Sequence, residues 1–224
     1  MKKLYISFSI FLMLIITVDA QTTTVTNDYR RDKNAEYDLS DFIGSKYLED
    51  DFQVGSIEDE LTNISKNVFL RYDVYSDIFE RKDSQATSAF TYLEKTYGVN
   101  VFYDDRTFIY TNYINDLGNQ VIGYLEVLGK YEDLTFYMDF EKTLRMPQKS
   151  PSPQTPDRAG KIGNKEFFVL KSPQGTKVID ISRKDVQDLF PQEVRGQVKS
   201  YVKKNKLKFR DGEDMKNLLD HLNK

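Results

Sequence analysis

Carboxylates are the residues of this chain best placed to do chemistry, because the other common reagents are scarce. Cysteine is absent and histidine occurs once, at His221. Asp139 and Glu141 stand two apart in the alternating segment Leu134 to Leu144, so a strand there places both on one face. Glu126 belongs to a neighbouring, more apolar strand and could supply a second acid with a raised pKa. Glycoside hydrolysis uses two carboxyl groups roughly 5–10 Å apart, and the two-residue spacing of Asp139 and Glu141 is of that order. The plainer reading, that Asp139 and Glu141 form the polar face of a half-exposed strand, is preferred. The absence of tryptophan, a common sugar-stacking residue, points the same way.

Other chemistries find less support. His221 is the fourth residue from the C-terminus, on an amphipathic segment, where a catalytic triad would rest on a fraying helix end. Thiol nucleophiles and cysteine-based metal sites are excluded, and a histidine-based metal site lacks ligands. Neither a G-x-x-x-x-G-K-[ST] nor a G-x-G-x-x-G pattern occurs, so the expected cofactor set is empty. The acidic runs Glu49-Asp50-Asp51 and Glu58-Asp59-Glu60 lack calcium-loop spacing. A basic stretch, Lys199, Lys203, Lys204, Lys206, Lys208 and Arg210, could touch an anionic surface. Its simpler reading is a set of cations complementing a helix C-terminus, with the acidic N-terminal third supplying partners. With 32 basic and 35 acidic residues, net charge −3, no nucleic-acid-binding balance is expected.

The elements that must position these residues are mostly strands. Val68 to Glu80 alternates with period two and reads as one strand. Ala86 to Lys95 fits a short helix or another strand. Val99 to Tyr103, Thr107 to Tyr113, Val121 to Leu128 and Leu134 to Leu144 follow as a meander joined by Asp, Asn and Gly turns, which implies antiparallel pairing. Both faces of Gly123 to Leu128 are apolar, so both should be covered. Residues 146–165, with four prolines, read as a long loop. Glu166 to Lys171 and Thr176 to Ile181 form a last hairpin around Pro173-Gln174-Gly175. Ser182 opens the helical part 182–224, with a second helix start at Pro191 and a final amphipathic helix after Asp211-Gly212.

At the N-terminus, Lys2 and Lys3 precede an apolar run from Leu4 to Val18, and Val18-Asp19-Ala20 offers small residues to a peptidase. Residues 1–20 therefore read as a secretory signal cleaved between Ala20 and Gln21, which predicts a periplasmic or secreted protein with no transmembrane span in its mature form. Residues 21–40 read as a polar lead-in, and 41–224 as one globular domain.

Several stretches together resemble a family of uncharacterised secreted proteins from flavobacteria and related Bacteroidetes. They are Gly44-Ser45-x-Tyr47-Leu48 with Phe52 and Gly55-x-Ile57, Arg71-Tyr72-Asp73-x-Tyr75-x-Asp77, Gly123 to Leu128, and Tyr201 to Leu207. The resemblance implies an exported setting and carries no known activity. A looser likeness, at the level of fold, is to periplasmic half-barrel carriers of outer-membrane lipoproteins.

The expected fold is α+β: a twisted antiparallel sheet of seven to nine strands with two or three C-terminal helices on one face. The leading functional expectation is a non-catalytic envelope module binding an apolar ligand or a protein partner, with Tyr72, Phe108, Tyr110 and Tyr137 as candidate lining or, more simply, as core. The alternatives are a carboxylate-dependent hydrolase of envelope or extracellular polysaccharide, and a structural or adhesion component that uses the Pro-rich loop.

Overall fold

The computed structural model describes residues 39–59, 64–150, 152 and 154–224. The cleavage position, most of the polar lead-in and two of the loop prolines lie outside them. The strands are β1 (Phe42–Ile43), β2 (Gln53–Asp59), β3 (Ile64–Asp73), β4 (Ile78–Lys82), β5 (Thr91–Tyr92) and β6 (Val99–Tyr103). They continue as β7 (Arg106–Ile114), β8 (Gln120–Tyr131), β9 (Leu134–Arg145), β10 (Gly160–Ser172) and β11 (Gly175–Ile179). Two helices close the chain, α1 (Arg195–Asn205) and α2 (Gly212–Leu222), after a short 3-10 turn at Val186–Leu189.

The eleven strands form one sheet, more than the seven to nine expected, in the order β1-β10-β9-β8-β7-β6-β2-β3-β4-β5, with β11 against β10 and β7. The sheet is mixed: most neighbours are antiparallel, but β1 runs parallel to β10 and β11 parallel to β7. The meander from β6 to β9 follows the expected boundaries closely. The extra strands come from places where the sequence pattern is weak. Val68 to Glu80 is two strands, because Val74 to Asp77 turns the chain and Asp77 adopts a left-handed φ of 51°. The Pro-rich loop is shorter than expected, since β10 already begins at Gly160. Near Ser182 the helix shrinks to the 3-10 turn, and Ser182 spends its hydroxyl on the Asp185 carboxylate, 2.6 Å away.

Pairing of β11 with both β10 and β7 closes a circuit through β7, β8, β9, β10 and β11. Inside lies a small core of Tyr113, Val121, Leu125, Tyr137 and Val169. The main core covers the other face. There Phe136, Met138 and Phe140 of β9 meet Met215, Leu218 and Leu219 of α2, and Val198 and Val202 of α1. Both faces of β8 are thus covered, one by the circuit and one by α2. Gly129, at φ 150° in a bulge of β8, lies where a Cβ would come within 2.9 Å of Leu219. The bulge lets α2 sit close to the sheet.

Away from the helices the sheet covers its own face with aromatic rings. Phe79 of β4 stacks on Tyr72 at 4.5 Å between centroids and meets Tyr124, Phe108 and Tyr103 edge-on at 5.0, 5.4 and 5.8 Å. Such geometry adds about 0.5–1.5 kcal/mol per pair beyond area burial. The hairpin of β3 and β4 is therefore fastened across β7 and β8 by one ring cluster.

Candidate functional site

The three carboxylates singled out above do not share a cleft. Glu126 pairs in register with Met138, so it faces the helices. There its Oε1 accepts from Lys216 of α2 at 2.7 Å. Asp139 and Glu141 point to the opposite face, as their spacing requires. Asp139 is not a half-exposed polar residue: it is 2% exposed and accepts a 2.6 Å hydrogen bond from the Tyr113 hydroxyl. The sheet separates Glu126 from the other two.

The four aromatic candidates are also divided. Tyr72, Phe108 and Tyr110 belong to the main core, and Tyr137 to the core inside the strand circuit. Tyr72, Phe108 and Tyr110 touch one another or other rings, and Tyr137 packs with Tyr113, Val121, Leu125 and Val169. The core reading of these residues is the one the packing follows. His221 stacks on Tyr201 at 4.0 Å on the surface of the helical part, beside Gln197.

The motif Arg71-Tyr72-Asp73-x-Tyr75-x-Asp77 turns out to be an ion-pair scaffold. Asp73, Asp77 and Glu80 are all buried. Asp73 accepts from Lys46 at 2.6 Å, and Arg71 holds Glu80 through two nitrogens at 2.9 and 2.6 Å. Asp77 accepts from the Tyr72 hydroxyl at 2.6 Å, the Tyr124 backbone N–H at 3.2 Å and Lys95 at 3.3 Å. Burial pulls the Lys46 ammonium down, but the Asp73 hydrogen bond and charge outweigh it and leave its pKa above the ordinary value. Buried carboxylates with such partners are retained as structural fastenings, because losing either partner strands a charge.

On the outer face of β2, β3 and β4 the scaffold carries a ladder of rings and cations, half-buried at Tyr47, Phe52, Arg71 and Lys82 and exposed at Phe90 and Tyr92. The Arg71 guanidinium lies 3.9 Å from the Tyr47 ring centroid and 4.5 Å from that of Phe52. Lys82 covers Phe52 at 4.2 Å. Phe52 continues to Phe90 at 6.3 Å, and Phe90 to Tyr92 at 5.7 Å. Tyr92 and Val54 remain 63% and 68% exposed. Tyr92 stands on β5, the last strand of the sheet, and among the described residues no strand pairs with its outer side. Exposed aromatic rings beside a free strand edge are the usual raw material of a docking surface.

Sequence reasoning missed this ladder because its members come from five separate segments. Only the register of β2, β3 and β4, with Val54 opposite Phe69 and Phe69 opposite Lys82, brings them to one face. The available signal was Phe90-Thr-Tyr92, two aromatics spaced for one face of a strand.

A second feature is a cleft of about 390 Å³ between the 44–50 segment and the ends of β9 and β10. Lys142, Asn164, Glu49 and Asp50 line it. Burial holds the Lys142 ammonium below its ordinary pKa, against the opposing charges of Asp50, Asp73 and Glu49. Its Nζ donates to Asn164 at 2.9 Å. Among the described residues no group of histidines and carboxylates is arranged to hold a metal. Comparison with protein-family models, curated proteins and solved structures gives no match.

Proposed function

We propose that the protein is a non-catalytic, exported binding module that takes an extended segment of a partner protein along the β5 edge. The observation that carries this reading is the run from half-buried Phe52 to exposed Phe90 and Tyr92, with exposed Val54 on the same face, at a strand edge with no outer neighbour among the described residues. A free edge supplies main-chain hydrogen bonds, and the rings supply the apolar anchors that fix a partner's register. Phe52, held by Arg71 and Lys82, backs Phe90, which in turn meets Tyr92, so the surface is partly preorganised and less side-chain entropy is lost on docking. The Lys2-Lys3 pair, the apolar run after it and the motif resemblance support the exported setting.

The apolar-ligand form of the reading has less support, because the four candidate lining residues are core. The hydrolase reading has less support too: Glu126 lies on the opposite face from Asp139 and Glu141 and is held by Lys216, and Asp139 is buried against the Tyr113 hydroxyl. The test is site-directed photo-crosslinking in cells of the source organism, with the photoreactive residue at position 92. A discrete adduct with one protein is expected at 92 and not at Lys177, a control position on β11. Adducts of equal yield at both positions would refute the reading.

A further inference from the structure

Among the described residues the basic stretch near the end of α1 lacks the acidic partners expected for it; Asp28, Asp32, Glu36, Asp38 and Glu60 lie outside those residues. Lys199, Lys203, Lys204, Lys206, Lys208 and Arg210 are all exposed, and none of their side chains forms an ion pair among the described residues. The described acids of the N-terminal third that form ion pairs do so elsewhere: Glu49 with Arg106, Asp73 with Lys46. Asp214 turns one oxygen to the backbone N–H groups of Lys208 and Phe209 at 2.6 and 2.7 Å. A helix C-terminus is complemented by the cations of its last turn, here Lys203 and Lys204, and does not account for the remaining four.

The local backbone presents these charges as a fixed array. After α1 the chain alternates: Leu207 and Phe209 are buried in the main core, while Lys206, Lys208 and Arg210 point outward. Lys206 and Phe209 adopt left-handed φ of 56° and 55°, which holds the segment against the core. Arg183, from the segment before the 3-10 turn, reaches in and donates to the Lys203 carbonyl at 3.5 Å, adding a seventh cation.

We propose that this face docks onto an anionic phospholipid bilayer. Its chemistry selects that occupant over others. The hydrophobic side chains of the segment point inward and Tyr201 is taken up by His221, so the patch offers no ring on which a nucleic-acid base could stack. It also lacks an exposed apolar anchor of the kind a protein partner of fixed shape requires. Long cations without an ion-pair partner among the described residues match a laterally mobile layer of phosphate head groups. The contact lies on a different part of the chain from the β5 edge and does not depend on it.

The test is co-sedimentation of the full chain with phosphatidylcholine vesicles, either pure or with one lipid in three replaced by phosphatidylglycerol. The ratio of the two partition coefficients is the readout, because it cancels any contribution of the apolar run Leu4 to Val18. The ratio should exceed one clearly and fall as salt is raised. Each neutralised lysine should lower it about fivefold, so Lys203→Gln with Lys204→Gln should cost roughly 25-fold. The pair Lys161→Gln and Lys165→Gln, on β10, should leave it unchanged. Three results would overturn the proposal: a ratio near one, an undiminished ratio in the 203/204 variant, or tighter binding to a single-stranded oligonucleotide than to the anionic vesicles. Circular dichroism of each variant confirms that these exposed substitutions leave the fold intact.

Discussion

At the scale of single residues, the buried carboxylates Asp73, Asp77, Glu80, Glu126 and Asp139 are fastenings. Asp77 shows it best. It sits at a left-handed φ in the turn between β3 and β4, and it gathers a phenol, a backbone N–H and an ammonium from three other segments. Replacing it with alanine leaves the Tyr72 hydroxyl and the Tyr124 N–H without this acceptor and keeps the unfavourable φ. Asp77→Ala should therefore lose about 3 kcal/mol or more in urea denaturation. Asp77→Asn, which tolerates the same φ and keeps an acceptor oxygen, should lose clearly less. Equal losses in the two variants would mean that the carboxylate charge facing Lys95, rather than the φ and the acceptor oxygen, carries the effect. Asp139 was legible in the sequence as a residue on a particular face. Its burial was not, because that depends on β11 closing over the face through a single short parallel pairing with β7.

At the scale of elements, the meander was readable because its strands alternate and its turns carry Asp, Asn and Gly. The turn at Val74 to Asp77 was not, because two of its residues are apolar and its left-handed position is held by aspartate rather than glycine. Close approach between strands has a sharper marker in Gly55. A Cβ there would meet the Phe102 carbonyl oxygen of β6 at 2.2 Å and Leu70 at 3.0 Å, so β2 and β6 would have to move apart. Gly55→Ala should cost about 3 kcal/mol. Gly196→Ala, on α1 with open space around it, should instead gain up to about 1 kcal/mol. Thermal or urea unfolding of the two variants checks both signs. The docking ladder sits at this scale too. Its residues are ordinary in sequence and become a surface only through strand register, which no local pattern contains.

At the scale of the whole molecule, the aromatic load ties stability to alkaline pH. Burial pushes the Tyr103 phenol up to about 12 and raises Tyr124 and Tyr137 as well. Above pH 10 the unfolded chain releases phenolic protons that the folded chain keeps, so stability falls as pH rises. Lys46 acts in the same direction: its raised pKa contributes stability that is present below 10.5 and lost above it. Lys142 opposes them through its lowered pKa. Urea midpoints should decline steeply above pH 10, and Tyr124→Phe should flatten the decline. A rise in stability over that range would contradict the burial of these rings. The fold class, mostly sheet with two C-terminal helices, was legible in outline; the mixed sheet and its circuit were not, because both rest on pairings between strands distant in sequence. The central claim concerns what the β5 edge is for, and crosslinking from position 92 tests it most directly. The account predicts one discrete adduct, lost when Phe90→Ser removes the neighbouring ring. An adduct that persists in that variant, or appears equally from position 177, would contradict it.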